Sequence, residues 1–272
     1  MKSRFTELST EEFYDAEDAI YRSFWDSEGG LHWGVFDDST GSDFLKACDN
    51  LNNIMAGKAR LDEEARLLDL GCGNGKTSMW LAAARKCRVT GVDLSGVRVA
   101  NAIEALEDQP GEIRARLGFK KGSGTDLPFP DASFTHVWSQ AVIYHIPDKE
   151  KVLQEAYRVL EDGGLLVFDD LIKPKPDISA AARTYVYDRL LFDTDFSFHS
   201  YQEALVRTGF RVLEAHDLSP HLKMSYQRLA EMAGAKGEAL SGKYHTLAHA
   251  YGQMVKAVEQ EELGWGFYVC QK

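Results

Sequence analysis

Short apolar runs alternate with segments of helical periodicity through the middle of the chain, from about residue 66 to residue 172. Short apolar runs bounded by turn residues are typical of buried strands, whereas apolar residues that recur every three or four positions indicate helices. The predicted strands are Arg66–Leu70, Arg88–Val92, Arg114–Lys120, Phe134–Ser139 and Leu165–Asp169, and the predicted helices are Thr77–Ala84, Val97–Leu106 and Lys149–Leu160. Strands that alternate with helices favour a parallel sheet with right-handed crossovers.

The flanking regions predict a helical cover and two further strands. Residues 1–65 are rich in aromatic and acidic side chains, and apolar residues recur at helical spacing in Phe44, Leu45, Cys48, Leu51 and Ile54. After residue 173 the pattern predicts the helix Tyr201–Arg207, the strand Arg211–Ala215, a helical stretch from about 222 to 262 and the strand Gly266–Cys270. We therefore predict an α/β fold with a doubly wound, seven-stranded, mostly parallel sheet in residues 66–272. Residues 1–65 are predicted to form a helical lid, and a helical insertion precedes the last strand.

Composition and charge narrow the classes of partner. The chain has 272 residues, of which 44% are hydrophobic and 27% charged, and its net charge is -11 at pH 7. This length suffices for one large α/β domain with its own core. Because nucleic acids and anionic membranes attract basic surfaces, we expect neither as a partner. No apolar run approaches the roughly 20 residues of a membrane span, and the N-terminus lacks the apolar stretch of a signal peptide.

The four cysteines, Cys48, Cys72, Cys87 and Cys270, suggest no covalent or metal framework. Their spacing fits no metal motif, and free thiols are typical of a reducing cytoplasm. We therefore expect a cytoplasmic protein that binds no metal and is a monomer or a homodimer.

The segment Leu67–Gly75 carries the most chemical information. It is an apolar strand that leads into a Gly-x-Gly-x-Gly turn at Gly71, Gly73 and Gly75, after which a helix begins. Such a turn lies at the carboxyl edge of the first strand, where doubly wound sheets bind their ligands. The spacing differs from the Gly-x-Gly-x-x-Gly of dinucleotide binders, which disfavours an NAD-dependent oxidoreductase. The second strand ends in Asp93, eighteen residues after Gly75, where a carboxylate can accept hydrogen bonds from ribose hydroxyls.

These segments resemble the class I S-adenosylmethionine-dependent methyltransferases. The resemblance continues in Gly122–Phe129, which is similar to the family's segment beside the adenine, in Phe134–Trp138 and in Arg158–Gly164. It implies S-adenosylmethionine as cofactor and a small molecule as methyl acceptor. Many members have an acid where this chain has Ser123, so the adenine contact rests on Ser123 or on backbone. The cofactor-binding residues that the resemblance implies are Asp69, Gly71, Gly73, Gly75, Asp93, Leu94, Ser123, Gly124, Ser139 and Trp33.

Three further segments resemble the glycine, sarcosine and dimethylglycine N-methyltransferases. They are Trp25–Phe36, Trp138–Gln140 with His145, and the C-terminal residues Tyr226–Arg228 and Leu263–Gly266. The chain departs from that family at Ala141, where an acid usually follows Ser-Gln, and at Tyr144-His145-Ile146. The latter also resembles sugar O-methyltransferases, in some of which a histidine pair supplies a base. The resemblance implies N-methylation of an amine or amino-acid-like acceptor, and O- or C-methylation of a natural product or sugar is the alternative.

Residues after the fourth and fifth strands are the candidates for acceptor chemistry. Methyl transfer requires alignment of the acceptor with the sulfonium methyl and an acceptor lone pair that is free of its proton. His145 is the leading candidate base, and Tyr144 and Asp170 are further catalytic candidates; each alternatively packs the sheet edge or caps a turn. Gln140, Tyr226 and Arg228 are the predicted acceptor-binding residues, and segments at about 173–198 and 219–262 are predicted to cover the acceptor. Tyr14, Tyr21, Trp25 and Trp33 form either an aromatic lid that attracts cations or a plain hydrophobic interface.

Overall fold

The computed structural model describes residues 4–192, 195–239 and 242–272. Its strands are β1 Arg66–Leu70, β2 Arg88–Asp93, β3 Leu117–Lys121, β4 Phe134–Gln140, β5 Leu160–Ile172, β6 Arg211–Asp217 and β7 Gly264–Gln271. They form a seven-stranded sheet in the order β3-β2-β1-β4-β5-β7-β6. Strands β1 to β5 are parallel, and β7 runs antiparallel between β5 and β6. The predicted Rossmann-like α/β fold is confirmed.

In several of the described helices, a side chain caps the first turn. Thr6 and Ser9 form a capping box at the start of the first helix, and Ser95 and Asp148 accept the N–H groups of Arg98 and Lys151. The helices are α1 Glu7–Phe24, α2 Phe44–Ala59, α3 Lys76–Ala84, α4 Gly96–Glu107, α5 Gly111–Arg114, α6 Lys149–Val159, α7 Ala180–Ala182, α8 Phe198–Thr208, α9 Ser219–Ala239 and α10 Gly242–Glu259; a π-helical segment, Arg183–Asp188, continues α7.

The core lies on both faces of the sheet, because successive strand residues point to opposite sides. Leu67 of β1 and Trp138 of β4 face one cluster of buried residues, whereas their neighbours Leu68 and Val137 face the other. Helices α2, α3, α9 and α10 contribute to the first cluster, and α6 and α8 contribute to the second. Strands β1 and β4 are therefore buried on both faces, and such strands in parallel sheets have nearly continuous apolar sequences.

Three predicted elements have different bounds in the structure. Strand β3 begins at Leu117, because the residues before it form the one-turn helix α5. Strand β5 extends from Leu160 to Ile172, and its early part pairs with β4 across a register shift. The predicted helical stretch is two helices, α9 and α10, which pack against each other. Within the described residues, none of the helices combines the length and the apolar character that crossing a bilayer demands.

Candidate active site

A cavity of about 140 Å³ opens at the carboxyl edge of the parallel strands. The loops after β1 and β2 line one side of it, and the turn after β4 lines the other. Helix α1 and residues 29–33 lie across it, and Arg189, Leu190, Tyr226 and Tyr251 complete its wall. Strand order reverses between β1 and β4, so the cavity lies at the topological switch point where α/β sheets bind ligands.

The glycine-rich turn after β1 brings bare backbone to the cavity. Gly71 and Gly75 have φ values of 78° and 80°, and a Cβ at either would lie 2.3 Å from Val142 or 2.6 Å from Phe119. These two glycines are therefore required by conformation and by close packing. Gly73 differs, since none of the described atoms would lie within 4 Å of a Cβ built on it. The backbone at Gly73 thus faces open space that a ligand can approach.

Asp93, the last residue of β2, joins the second loop to the first. One carboxylate oxygen accepts the N–H of Gly73 at 2.9 Å, and the other accepts the N–H of Ser95 at 2.8 Å. Burial raises the pKa of Asp93, while the positive charge of Arg98 and the two backbone hydrogen bonds oppose that rise. The carboxylate lines the cavity, and each oxygen keeps a lone pair for a ligand hydroxyl.

Asp69, in β1, is a buried carboxyl at the floor of the same cavity. Ser78 of α3 donates a hydrogen bond to it at 2.5 Å. Burial raises the pKa of Asp69 to about 7. Asp69 therefore ties the strand to the helix that follows the glycine turn.

His145 lies across the cavity from these loops, in the 3₁₀ turn Ile143–His145 that follows β4. Its Nε2 shares a hydrogen bond with the hydroxyl of Tyr14 from α1, and its Nδ1 is buried with no partner among the described residues. Burial holds the pKa of His145 well below its usual value, and the charges of Arg98 and Lys149 lower it further. The imidazole is therefore neutral at pH 7.

Asp170 holds the turn that carries His145. One of its oxygens accepts the N–H of Tyr144 at 2.8 Å, and the other accepts the hydroxyl of Tyr201 at 3.0 Å. Burial raises the pKa of Asp170 to about 7. The side chain is fully buried and does not line the cavity, so the structure shows it behind the turn.

An aromatic wall surrounds the space between His145 and the later helices. The rings of Tyr144 and Tyr226 lie 6.1 and 6.0 Å from that of Trp33. Tyr251 stacks on Tyr226 with 5.9 Å between ring centroids. Arg189 lies among them, with its guanidinium carbon 5.1 Å from the centre of the Tyr251 ring. The wall is therefore apolar and aromatic with one cation set into it.

Comparisons with known proteins agree with this geometry. A family model described as a methyltransferase domain matches residues 68–168. The 27-O-demethylrifamycin SV methyltransferase of Amycolatopsis mediterranei (strain S699) is 32% identical over 230 residues, which cover 84% of this chain and 83% of that protein. The chain belongs to the class I S-adenosylmethionine-dependent methyltransferases. Its cofactor is S-adenosylmethionine, and its acceptor is a small molecule.

The methyltransferase has relatives that act on different atoms. The glycine/sarcosine/dimethylglycine N-methyltransferase of Actinopolyspora halophila is 32% identical over 235 residues, which cover 85% of this chain but only 40% of that protein. Among solved structures, mycolic acid cyclopropane synthase CmaA1, complexed with SAH and CTAB, superimposes with a TM-score of 0.85 at 18% identity. That match covers 100% of this chain and 99% of CmaA1, and it shows the fold alone.

The structure brings most of the predicted cofactor residues of the methyltransferase to one cavity. Those that line it are Asp69, Gly71, Gly73, Asp93, Leu94, Gly124 and Trp33. Gly75 is the N-cap residue that precedes α3, and Ser139 donates to the Leu70 carbonyl at 3.0 Å and joins β4 to β1. Ser123 donates to Glu7 of α1 at 2.6 Å. These three do not line the cavity, and each has a partner or a packing role in the protein.

The predicted acceptor residues also divide into residues that line the cavity and a residue that lies outside it. Tyr144, His145, Gln140 and Tyr226 line the cavity, and Gln140 is fixed by a hydrogen bond to Asn52 at 2.8 Å. Arg228 lies outside it, where its guanidinium pairs with Glu231 at 2.6 Å. Helix positions two apart point to different sides, so a helix that buries Tyr226 turns Arg228 away.

Sequence reasoning missed two buried arginines of the cavity wall. Arg189 extends from the segment after β5, and Arg98 extends from the first turn of α4. Arg98 donates to Asp18 of α1 at 3.1 Å, and Asn74 of the glycine turn donates to the same carboxylate at 2.9 Å. Asp18 is 80 residues from Arg98, and no local pattern links residues so far apart. Asn74, between two glycines of the cofactor loop, is the part of this network that its position could have revealed.

Proposed function

We propose that this methyltransferase transfers the methyl group to the oxygen of an acidic hydroxyl, such as a phenol, on a small acceptor. The observation that carries the proposal is the charge of the acceptor end of the cavity, defined by Tyr144, His145, Arg189, Tyr226 and Tyr251. The carboxylates that line the cavity, Glu7, Glu11, Asp69 and Asp93, belong to α1 and to strands β1 and β2, whereas these five residues supply a cation and a neutral imidazole. The positive charge of Arg189 disfavours an alkylammonium ion and stabilises an acceptor that becomes negative when it loses its proton.

S-adenosylmethionine supplies an activated methyl group on a sulfonium sulfur. In the proposed reaction the acceptor O–H bond breaks, and its proton passes to the neutral imidazole of His145. The acceptor oxygen forms a bond to the methyl carbon as the bond from that carbon to sulfur breaks, which leaves a methyl ether and S-adenosylhomocysteine. The cavity wall contributes by alignment and by excluding water from the reacting atoms.

The residues that would hold the cofactor lie on the opposite side of the cavity. Asp93 would accept the ribose hydroxyls, and the open backbone at Gly73 would let the cofactor approach the turn. Gly124 and Leu94 would line the adenine end, and Trp33 would separate cofactor from acceptor. The buried carboxylate and the uncovered glycine backbone fit an uncharged ribose better than a pyrophosphate.

Arg189 is the residue that we expect to orient the acceptor. Its Nη1 is buried and has no hydrogen-bond partner among the described residues, and Nη2 reaches the Tyr21 hydroxyl at 3.4 Å. A buried guanidinium N–H group without a partner is costly, and a carbonyl or carboxylate oxygen of the acceptor would satisfy Nη1. The acceptor would then be held at two points, by Arg189 at one end and by His145 at the reacting hydroxyl.

N-methylation is the second candidate, and the aromatic wall favours it. Faces of tyrosine and tryptophan attract ammonium groups, and Tyr144, Tyr226 and Trp33 present such faces to the cavity. The N-methyltransferase among the relatives supports the same candidate. An amine would have to bind as the neutral base or give its proton to His145 on binding.

A matched acceptor panel distinguishes the two candidates. Purified enzyme would be incubated with S-adenosylmethionine labelled in its methyl group and with pairs of acceptors that differ only in carrying a hydroxyl or an amine. We expect label in the methyl ether of the hydroxyl member, with the highest rate where the acceptor also carries a carbonyl or carboxylate. Transfer to the amine members alone would overturn O-methylation in favour of the second candidate.

A further inference from the structure

Arg98 is a buried cation that touches the lid helix at two points. Its Nε donates to the Asp18 carboxylate at 3.1 Å, and its guanidinium carbon lies 3.9 Å from the centre of the Tyr14 ring. The second terminal nitrogen, Nη2, is buried and has no partner among the described residues. Arginine suits this position because it can stack on a ring and donate to a carboxylate at the same time.

Tyr14 and Asp18 lie one turn apart on α1, so they share a face of that helix. Arg98 comes from α4, on the sheet side of the cavity, and holds both residues of this face. Asn101, one turn further along α4, also donates to Asp18 at 3.2 Å. The position of the Tyr14 ring is therefore fixed by Arg98, and the Tyr14 hydroxyl is the group that meets Nε2 of His145.

The charge of Arg98 acts on the same histidine. Six titratable or charged groups surround the imidazole: Tyr14 of α1, Arg98 of α4, Tyr144 of its own turn, Lys149 of α6, Asp170 of β5, and Arg189. The backbone carbonyl of Leu190, next to Arg189, also faces the ring. Burial is the largest cause of the lowered pKa of His145, and Arg98 and Lys149 add to it. Lys149 donates to the Ile146 carbonyl and so belongs to the turn that carries His145, whereas Arg98 belongs to α4 and also contacts α1.

We propose that Arg98 is a positioning residue that holds Tyr14 against His145 and keeps the imidazole in its proton-accepting form when α1 is docked. The inference rests on the proposed function in taking His145 as the base, and it applies to a hydroxyl or an amine acceptor alike. Helix α1 then has a chemical role, because the Arg98 side chain both anchors α1 and helps to keep His145 unprotonated.

The experiment follows the ring signals of His145 by NMR across pH 4.5–8.5, with S-adenosylhomocysteine bound and the His145→Gln protein used for assignment. Arg98→Met and Arg98→Gln remove the charge, and we expect the titration midpoint of His145 to rise by about one pH unit or more. Arg98→Lys keeps the charge, so the midpoint should stay near that of the wild type. Lysine is less able to hold both the ring and the carboxylate, so turnover of Arg98→Lys should still fall several-fold.

Two matched variants separate charge from docking. Asp18→Asn removes the carboxylate that Arg98 holds but keeps the charge of Arg98. We expect weaker protection of α1 in hydrogen exchange and, because burial is the largest cause of the lowered pKa of His145, a rise of its midpoint smaller than that in Arg98→Gln. Arg66→Gln removes an exposed arginine whose guanidinium pairs with Glu161 at 2.7 Å and should change neither measurement. The same midpoint in Arg98→Gln as in the wild type would overturn the proposal. The titration needs no acceptor, so its outcome is independent of whether the panel yields a methyl ether or a methylamine.

Discussion

Asp93 holds two backbone N–H groups with the same two oxygens that we propose as acceptors for the ribose hydroxyls. It fixes the backbone of Gly73 and Ser95, and it does so at the wall of the cavity. A side chain that is already ordered in this way loses little freedom when a hydroxyl binds to it. The sequence could indicate this residue because a strand end and a glycine turn are both local patterns.

Replacing Asp93 by Ala should lower the affinity for S-adenosylhomocysteine by about tenfold or more. The change removes a charged acceptor, and hydrogen bonds to charged groups contribute about 1.5–3 kcal/mol. Isothermal calorimetry on the folded variant measures the effect, with Asp108→Ala, an exposed acid at the end of α4, as control. Equal affinities of the Asp93→Ala and wild-type proteins would contradict the assignment.

Replacing His145 by Gln should lower turnover by about a hundredfold, the usual scale for the loss of a general base. Binding of S-adenosylhomocysteine should barely change. Because the pKa of His145 is lowered, its neutral form persists as the pH falls through the usual histidine range, and wild-type turnover should show no acid loss between pH 8 and pH 6. Steady-state kinetics from pH 6 to 10 test both statements. A variant that keeps the wild-type rate and pH profile would exclude His145 as the base.

Replacing Arg189 by Met should raise the acceptor KM by tenfold or more while maximal turnover is largely kept, since Arg189 binds a part of the acceptor that does not react. Arg228→Met is the matched control, because Arg228 pairs with Glu231 outside the cavity. Kinetics with the best acceptor of the panel decide between the two arginines. A raised KM in Arg228→Met alone would reverse the assignment.

At the scale of elements, α1 docks through polar contacts to the loops of the cavity and through Tyr21 and Phe24, which belong to the buried core. Asp15 accepts the Ser95 hydroxyl at 2.5 Å, Asp18 accepts Asn74 at 2.9 Å, and Glu7 accepts Ser123 at 2.6 Å. Several of these partners belong to the loops around the cavity. Polar contacts of this kind can be exchanged for water, whereas Tyr21 and Phe24 would keep the last turns of the helix attached to the core.

We expect residues 7–24 to exchange their amide hydrogens faster in the free protein than in the complex with S-adenosylhomocysteine. The cofactor would occupy the space beneath α1, and lids commonly order over a bound ligand. Hydrogen exchange with mass spectrometry measures the difference, with α8, which packs on the opposite face of the sheet, as internal reference. Equal protection of α1 in both states would contradict a closing lid.

Element boundaries show why part of the fold escaped prediction. Strands β1 and β2 were predicted within one residue, because Leu67–Leu70 and Val89–Val92 are short runs that end at glycine or acid. Strand β5 was predicted too short, because Gly163 and Gly164 interrupt the apolar pattern although the backbone continues through them. Gly163 has a φ of 83°, and its neighbour's tight packing against the Glu161 carbonyl leaves no room for a side chain. Such an irregularity depends on the partner strand, which local periodicity cannot show.

At the scale of the whole molecule, three buried acids make the free energy of unfolding depend on pH. Burial raises the pKa of Asp69 to about 7, of Asp169 to about 8 and of Asp170 to about 7. In the unfolded chain an aspartate titrates near 3.9, so the folded protein binds more protons between about pH 4 and pH 8. Their contribution to stability is therefore complete below pH 4 and is lost as the pH rises toward 8.

Asp169 offers the sharpest test, because it has the highest pKa of the three. Trp265 donates to one oxygen at 2.7 Å, and the other oxygen has no partner among the described residues. Asparagine resembles the protonated acid at every pH. The free energy of unfolding of Asp169→Asn should therefore fall less steeply than that of the wild type between pH 5 and 8, by up to about 1.4 kcal/mol per pH unit. Urea unfolding at several pH values measures the slope, with the exposed Asp177→Asn as control. A slope as steep as that of the wild type would contradict the assignment.

The place of β7 in the sheet has a consequence for synthesis on the ribosome. Strand β6 has β7 as its only neighbour in the described sheet, and β7 also covers the free edge of β5. About fifty residues separate the end of β6 from the end of β7. At roughly 5–20 residues per second, β6 waits several seconds after its own translation before it has a partner. A nascent chain therefore carries the unpaired edges of β5 and β6 until β7, which follows the last helix, has been made.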